Sequence, residues 1–186
     1  MANVVNVVFA GAFCALPFLT MLHLQRVVGL TALLAAVAYL PHGLALLVGV
    51  GLSARFTHRL GLRTTVIAAL LIGVAGMLLI GVSAHGDGDA TGLLPGLIIT
   101  GVASGLGFPL LAVAALAGTD ESNAGLGSAV LSSSQQLGGA KGLAALVNIA
   151  SGTLRGISTA LITIGGVLCA GALVATRLPN TVKERS

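Results

Sequence analysis

One basic residue, Lys141, lies inside the apolar run SSSQQLGGAKGLAALVN, where a charged group needs an explanation. Side chains three or four residues apart share one face of a helix, so the lysine belongs to a stripe of small and polar residues. The stripe consists of Ser134, Gly138, Lys141, Ala145 and Asn148, and Gln135 and Gln136 widen its polar edge. Such a stripe is poorly suited to lipid, and it predicts a cavity or a pathway along this helix.

Two interpretations of Lys141 follow from its position. A lysine at the centre of a membrane helix costs about 2.5–3.5 kcal/mol on insertion scales, so intramembrane charges usually mark pathways. Alternatively, the side chain extends to the membrane surface, but the residue is far from the start of its predicted helix and about two turns from the end. No acidic residue lies within a predicted membrane core to pair with it. We therefore expect Lys141 to face a cavity or an absent partner.

His42 follows Pro41 in the middle of another apolar run. Histidine titrates near physiological pH, so His42 could carry protons across the membrane. It could equally be a core residue that donates a hydrogen bond to a carbonyl freed by the proline. The sequence thus leaves two roles for His42, proton carrier or core hydrogen-bond donor.

Two prolines indicate an internal repeat. Pro17 in LPFLTML and Pro109 in FPLLAVA each lie about fifteen residues from the predicted start of their helices. Matched interruptions in corresponding helices are typical of transporters built from inverted three-helix repeats, where they point to the substrate pathway. Membrane helices also tolerate proline without any such role, so chance is the competing explanation.

Small residues four apart predict close helix packing. Gly101 and Gly105 form one such pair, and Gly138 and Gly142 form another. Spacing of this kind lets membrane helices approach closely. The pairs indicate packing and not chemistry.

Composition assigns the chain to membrane proteins. Hydrophobic residues make up 56% of the 186 residues, charged residues 8%, and the mean hydropathy is +1.06. So few charges cannot coat a water-facing surface. The net charge of +4 comes from scattered residues with no basic patch, which argues against a nucleic-acid partner. The lipid bilayer is the expected surrounding.

Six stretches are long enough to span a bilayer as helices of about 20 residues. They predict an all-α membrane protein with one six-helix domain over residues 1–186 and a cytoplasmic tail over 178–186. The runs do not alternate as barrel strands would. The predicted spans are 3–24, 29–53, 64–84, 93–117, 123–149 and 157–177.

Basic residues predict the orientation, because cytoplasmic loops are enriched in lysine and arginine. With both termini in the cytoplasm, the loop carrying Arg55, Arg59 and Arg63 lies inside, together with the C-terminal basic residues. Only Arg26 and Arg155 then lie outside. The sequence therefore predicts a multi-pass protein with both termini in the cytoplasm.

No pattern for catalysis stands out. Cys14 and Cys169 are isolated within predicted helices and lack the spacing of a metal site. We find no combination of nucleophile and base, no phosphate-binding loop and no metal cluster. The chain is predicted not to be an enzyme, and no cofactor or metal is expected.

Four segments together resemble a known family. They are FLTMLHLQRVVGLTALLAAVAYLPHGL, LSARFTHRLGLR, LLPGLIITGVASGLGFPLLAVAALAG and NAGLGSAVLSSSQQLGGAKGLAAL. In order and spacing they are similar to the C-terminal six helices of major facilitator superfamily exporters, in particular the fourteen-helix drug:proton antiporters of bacteria. The resemblance implies a 3+3 inverted repeat, location in the bacterial inner membrane, and proton-driven export of small amphipathic compounds by alternating access.

Two departures from that family matter. The family has an N-terminal half that carries its proton-coupling acidic residues, and here Met1 opens almost directly onto the first helix, so we expect that half to be missing. The family's basic turn often has an acidic residue where this chain has His58, before Arg59, Gly61 and Arg63. The arginines therefore either gate the transporter, as the resemblance implies, or only fix the topology.

Two functions remain open on the sequence alone. In the first, the chain is half of an exporter and requires a partner half. In the second, it is a non-transporting six-helix module that forms homodimers or regulates a full transporter. Lys141 suggests that neutral or anionic compounds suit the cavity better than cations.

Overall fold

The computed structural model describes residues 2–84, 90–116, 123–150 and 154–176, and every regular element in these ranges is a helix. The described part contains six α-helices in chain order. They are α1 (Ala2–Arg26), α2 (Ala32–Leu60), α3 (Leu62–Ser83), α4 (Ala90–Leu116), α5 (Ala124–Ala150) and α6 (Leu154–Ala175).

Four of the described helices, α1 to α4, are long and apolar enough to cross a membrane. Helix α6 contributes a shorter apolar segment, Thr159–Ala175. Helix α5 has 27 residues but carries serines, glutamines and Lys141, which lower its hydropathy. The all-helical prediction is confirmed, and membrane-spanning length and apolarity are found for α1 to α4.

The connector between α2 and α3 differs from its prediction as a polar loop over ARFTHRLGLR. Helix α2 continues to Leu60 and α3 begins at Leu62, so Gly61 alone separates them. Hydropathy marks where the apolar run ends, but ARFTHRL contains no glycine or proline to end the helix. Gly61 has φ 81° and ψ 159°, a backbone region that is essentially restricted to glycine.

Arginines of that segment therefore lie on helices and not on a loop. Arg55 and Arg59 are exposed on the last turns of α2, and Arg63 is half-buried on the first turn of α3. The chain reverses at Gly61, whose N–H donates to the Thr57 carbonyl at 2.9 Å.

Most contacts in the bundle join helices that are not neighbours in the sequence. Helix α2 packs mainly on α4, and α1 packs mainly on α5. Helix α3 lies against both α4 and α6, and α1 also contacts α6. Contacts between α1 and α2, and between α4 and α5, are few although these helices are consecutive in the sequence.

An aromatic cluster joins α1 to α4 at the centre of the core. The ring centroids of Phe9 and Phe13 are 4.4 Å apart, and those of Phe9 and Phe108 are 5.0 Å apart in an edge-on arrangement. Phe9 is fully buried and lies against Gly107, which has no side chain to exclude the ring. This cluster supports the first turns of α1, which carry one wall of the site described below.

Candidate functional site

A cavity of about 270 Å³ lies between α1, α5 and α6. Val7 and Gly11 belong to its α1 wall, Gly138 and Lys141 to its α5 wall, and Val167 to its α6 wall. Typical sites for small molecules measure about 300–1,000 Å³, so this cavity fits one ring or a short alkyl segment. The walls are almost entirely apolar.

Glycines determine how α1 and α5 approach each other beside this cavity. A Cβ on Gly11 would lie 2.9 Å from the Gly138 carbonyl oxygen, and a Cβ on Gly142 would lie 2.5 Å from the Gly11 Cα. Backbone therefore packs directly on backbone. The predicted Gly138 and Gly142 pair lies at this crossing, and its partner Gly11 was not singled out from the sequence.

Lys141 lines the cavity and is exposed. The described ranges contain no aspartate or glutamate, because the five acidic residues fall at positions 87, 89, 120, 121 and 184. Within the described ranges, therefore, no carboxylate is available to the ammonium group.

Of the remaining residues of the predicted stripe, one lines the cavity and two do not. Ala145 lines the cavity with Gly138 and Lys141. Ser134 donates its hydroxyl to the Val130 carbonyl at 2.7 Å, and the Asn148 amide donates to the Ala144 carbonyl at 3.3 Å. These two side chains bond to their own helix and are not among the residues that line the cavity.

The glutamines are placed differently from each other. Gln135 is half-buried and Gln136 is exposed, and neither lines the cavity. Their role in a substrate pathway remains a prediction.

His42 is buried between α2 and α4, away from the cavity. Its Nδ1 lies 3.1 Å from the Leu97 carbonyl and 3.3 Å from the Thr100 hydroxyl, and its ring lies against Tyr39 with centroids 4.8 Å apart. A carbonyl only accepts hydrogen bonds, so Nδ1 carries the proton in this contact. The acceptor lies on α4 and is therefore not a carbonyl freed by Pro41, which lies on α2.

The Gly101 and Gly105 pair lies at the crossing of α4 with α2. A Cβ on Gly101 would meet the His42 carbonyl, and a Cβ on Gly105 would lie 2.9 Å from the Gly49 Cα. This crossing has the same character as that of α1 with α5. Glycine backbone meets glycine backbone in both.

The two crossings correspond in sequence position. Gly11 and Gly105 are 94 residues apart, and their partners Gly142 and Gly49 are 93 residues apart. Pro17 and Pro109, both half-buried within continuous helices, are 92 residues apart. Exchanging α1 with α4 and α2 with α5 thus maps one crossing onto the other. The sequence comparison of prolines missed Pro95, which lies in α4 without a counterpart at this spacing.

Several polar groups are buried that the sequence did not predict to be buried. Asn6 and His23 have no hydrogen-bond partner for any side-chain nitrogen or oxygen within the described part of the chain, and the same is true of the hydroxyls of Thr20 and Tyr39. Asn6, Phe13 and Thr20 are seven residues apart and share the core face of α1. That spacing was the available signal.

Comparison with known proteins found three relatives from Streptomyces. The chain is 36% identical to the puromycin resistance protein pur8 of Streptomyces alboniger over 76% of its length. It is 31% identical to a probable actinorhodin transporter of Streptomyces coelicolor over 97% of its length, and 33% identical to a lincomycin resistance protein of Streptomyces lincolnensis over 80%. No family model matches the chain.

The chain spans only 29% to 32% of the length of these relatives. They are named as resistance proteins and as a transporter, and none is named as an enzyme, which agrees with the prediction that this chain is not an enzyme. In the described residues, no group of three or more metal-binding side chains comes together. The homologues and the four apolar helices together indicate a membrane protein related to antibiotic resistance and transport proteins.

Proposed function

We propose that this chain is the C-terminal six-helix half of a major facilitator superfamily exporter that moves hydrophobic drugs or metabolites across the bacterial inner membrane in exchange for protons. The observation that carries the proposal is the similarity to three resistance and transport proteins over most of this chain and about a third of theirs. A chain of this length would supply the six C-terminal helices of an alternating-access transporter. The other half is its partner.

Helix packing supports the 3+3 inverted repeat. The crossing of α1 with α5 corresponds to that of α4 with α2, and the two sets of glycines are related by nearly constant displacements of 94 and 93 residues. Three helices per repeat place corresponding ends on opposite sides of the membrane.

Polar residues on α5 supply the proposed substrate pathway. Lys141 is exposed next to the cavity, and Gln136 and Asn148 are exposed on the same helix. Exposed polar residues in a membrane helix require water, substrate or another protein domain. We propose that they face the partner half, with both termini of the chain in the cytoplasm.

The basic residues at the junction of α2 and α3 have two proposed roles. Arg55, Arg59 and Arg63 lie within nine positions of each other around Gly61. They hold this end in the cytoplasm by the positive-inside rule. As parts of two helices joined by one glycine, they would also move with any shift of α2 against α3, which is the basis of the gating proposal.

A chimaera tests the transport proposal. The segment of the lincomycin resistance protein that aligns with this chain is replaced by this chain, and lincomycin and puromycin resistance are measured in a susceptible bacterial host. We expect the chimaera to confer resistance to at least one compound, because the remaining two thirds of the relative supplies the partner half. Collapse of the proton gradient should abolish efflux.

Two controls separate the alternatives. The relative lacking the aligned segment and this chain expressed alone should both leave the host susceptible. Proton-coupled efflux by the isolated chain would contradict the partner requirement. A chimaera that reaches the membrane at normal abundance without efflux, combined with self-association of the isolated chain, would favour the non-transporting module.

A further inference from the structure

The cavity between α1, α5 and α6 combines an apolar interior with one cationic group. Val7, Val8 and Val167 present alkyl groups, while Lys141 supplies the charge. Thr163 also lines the cavity, but its hydroxyl donates to the Thr159 carbonyl at 2.7 Å and so is already engaged as a donor. Lys141 is therefore the one charged residue among those that line the cavity.

The positive charge of Lys141 favours a ligand with a negative charge. The described segments contain no carboxylate that could neutralise it, and an ammonium group attracts an anion by Coulomb's law. A cationic ligand in the same cavity would be repelled. Charge complementarity thus points to a carboxylate, phenolate, sulfonate or phosphate group attached to an apolar body.

The depth of Lys141 distinguishes a free ligand from a membrane lipid. Lys141 is nine residues from Ala150, the end of α5, and a rise of 1.5 Å per residue places it about 14 Å below that end. With α5 spanning the bilayer from its end at Ala150, as proposed, this is near the midplane of a hydrocarbon core of about 30 Å. A phospholipid headgroup remains at the surface and would not reach it, whereas a small amphipathic acid could.

We propose that the cavity between α1, α5 and α6 binds the apolar part of an amphipathic organic anion whose charged group pairs with Lys141. The inference rests on the proposed function, because it names such an anion as the substrate class of the exporter. The cavity volume of about 270 Å³ holds one ring or alkyl segment of the ligand. The rest of a larger molecule extends past Lys141 towards the partner half.

Binding to the purified chain tests the inference without transport. The chain is placed in nanodiscs of zwitterionic lipid, and dansyl-labelled undecanoic acid is titrated against its uncharged methyl ester. We expect Lys141→Gln to weaken binding of the acid about tenfold, from loss of one charge-assisted hydrogen bond, and to leave the ester unchanged. The matched control is Arg26→Gln, which removes an exposed cation outside the cavity and should leave both affinities unchanged.

A cavity-filling variant tests the location. Val167→Phe should weaken binding of both probes, since the larger ring occupies the apolar end. Val113→Phe is the matched control, because Val113 is 48% exposed and Val167 is 45% exposed, but only Val167 lines the cavity. Circular dichroism and gel filtration confirm that each variant is folded.

Three outcomes would overturn the inference. They are absence of acid binding by the unmodified chain, equal binding of the acid by the Lys141→Gln variant, and equal effects of the Val167 and Val113 variants. The titration is repeated in nanodiscs that contain phosphatidylglycerol. If this lipid displaces the acid from the unmodified chain but has no effect on the Lys141→Gln variant, the site binds lipid and the free-anion proposal is overturned. If the chimaera exports drugs although the acid does not bind as expected, the anion inference fails and the proposed function stands. If the chain binds the acid but the chimaera does not export drugs, the proposed transport function fails and the binding site stands.

Discussion

Individual glycines allow the contacts on which this bundle depends. At Gly142, an added Cβ would overlap the Gly11 backbone, whereas at Gly166 it would meet nothing within 4 Å. The same residue type on one sequence therefore has two different roles. Only the partner across the interface distinguishes them.

Gly142→Ala should lower the free energy of unfolding by about 1–3 kcal/mol, the usual cost of overpacking. The obstacle is backbone and not a side chain that can rotate away. Gly166→Ala is the matched control and should be neutral or stabilising by up to about 1 kcal/mol, because alanine favours helix more than glycine does. Reversible unfolding in mixed micelles measures both, and equal effects of the two variants would contradict direct contact between α1 and α5.

His42 contributes to stability through its hydrogen bonds to α4. His42→Leu should lower the free energy of unfolding by about 0.5–1.5 kcal/mol, the usual worth of one buried hydrogen bond. The cost stays small because the one proton of the Thr100 hydroxyl still has an acceptor, either the Gly96 carbonyl at 2.8 Å or the Leu97 carbonyl at 3.0 Å.

A double-mutant cycle with Thr100→Val checks that His42 and Thr100 interact. We expect a coupling energy of at least about 0.5 kcal/mol, as for residues in direct contact. Strict additivity would be the contrary result. The pH dependence of efflux by the chimaera carrying His42→Leu then tests the proton-carrier interpretation separately, since a purely structural histidine would leave that dependence unchanged.

The pairing of α1 with α5 brings together residues that are distant in the sequence. Helices α1 and α5 are far apart in the sequence yet form one of the closest pairs, and Cys14 on α1 lies beside Gly139 on α5. A Cβ on Gly139 would be 3.3 Å from the Cys14 Cβ and 3.1 Å from its Sγ. Disulfides usually have Cβ atoms about 3.5–4.5 Å apart, so a small shift would suffice for a bond.

Gly139→Cys should therefore form a disulfide with Cys14 when membranes are treated with copper phenanthroline. Cys169 is replaced by alanine in every variant, so that only the designed pair can react. Mass spectrometry of the digested protein detects the linked α1 and α5 peptides. The same variant carrying Cys14→Ala is the control, and failure to cross-link at full oxidation would be evidence against this helix pairing.

The whole molecule presents an uneven surface. Helix α2 packs closely on α4 but leaves large apolar side chains uncovered, including Leu33 at 75%, Leu44 at 64% and Leu47 at 66% exposure. Lipid or a partner domain must cover such a face. At its end α2 carries the exposed residues Arg55, His58 and Arg59, and this change from apolar to basic marks where the helix leaves the hydrocarbon.

Orientation is testable with single cysteines in a chain whose Cys14 and Cys169 are replaced by alanine. His58→Cys should react with a membrane-impermeant maleimide in inside-out vesicles and not in intact cells, because the positive-inside rule places the end of α2 in the cytoplasm. Arg26→Cys, near the end of α1, is the matched control and should show the opposite pattern. Labelling of His58→Cys in intact cells would reverse the proposed topology.

Much of the helical structure could be predicted from the sequence. Bilayer thickness and helical rise set the length of an apolar run, so hydropathy alone indicates where helices lie. Periodicity also placed Lys141 on one face with Gly138 and Ala145, and these three residues line the same cavity. Helix α2 continues seven residues past residue 53, the end of the predicted span, because hydropathy reports the end of the apolar run and not the end of the helix.

Local sequence patterns determined the all-helical class and the stripe on α5, since both depend on interactions within a few turns of one helix. The tertiary structure alone decided that Gly11 meets Gly142, that His42 contacts the Leu97 carbonyl on α4, and that α6 closes the cavity beside Lys141. These outcomes depend on whether two distant surfaces fit at backbone distance. Steric complementarity of that kind belongs to both partners together, so no single stretch of sequence contains it.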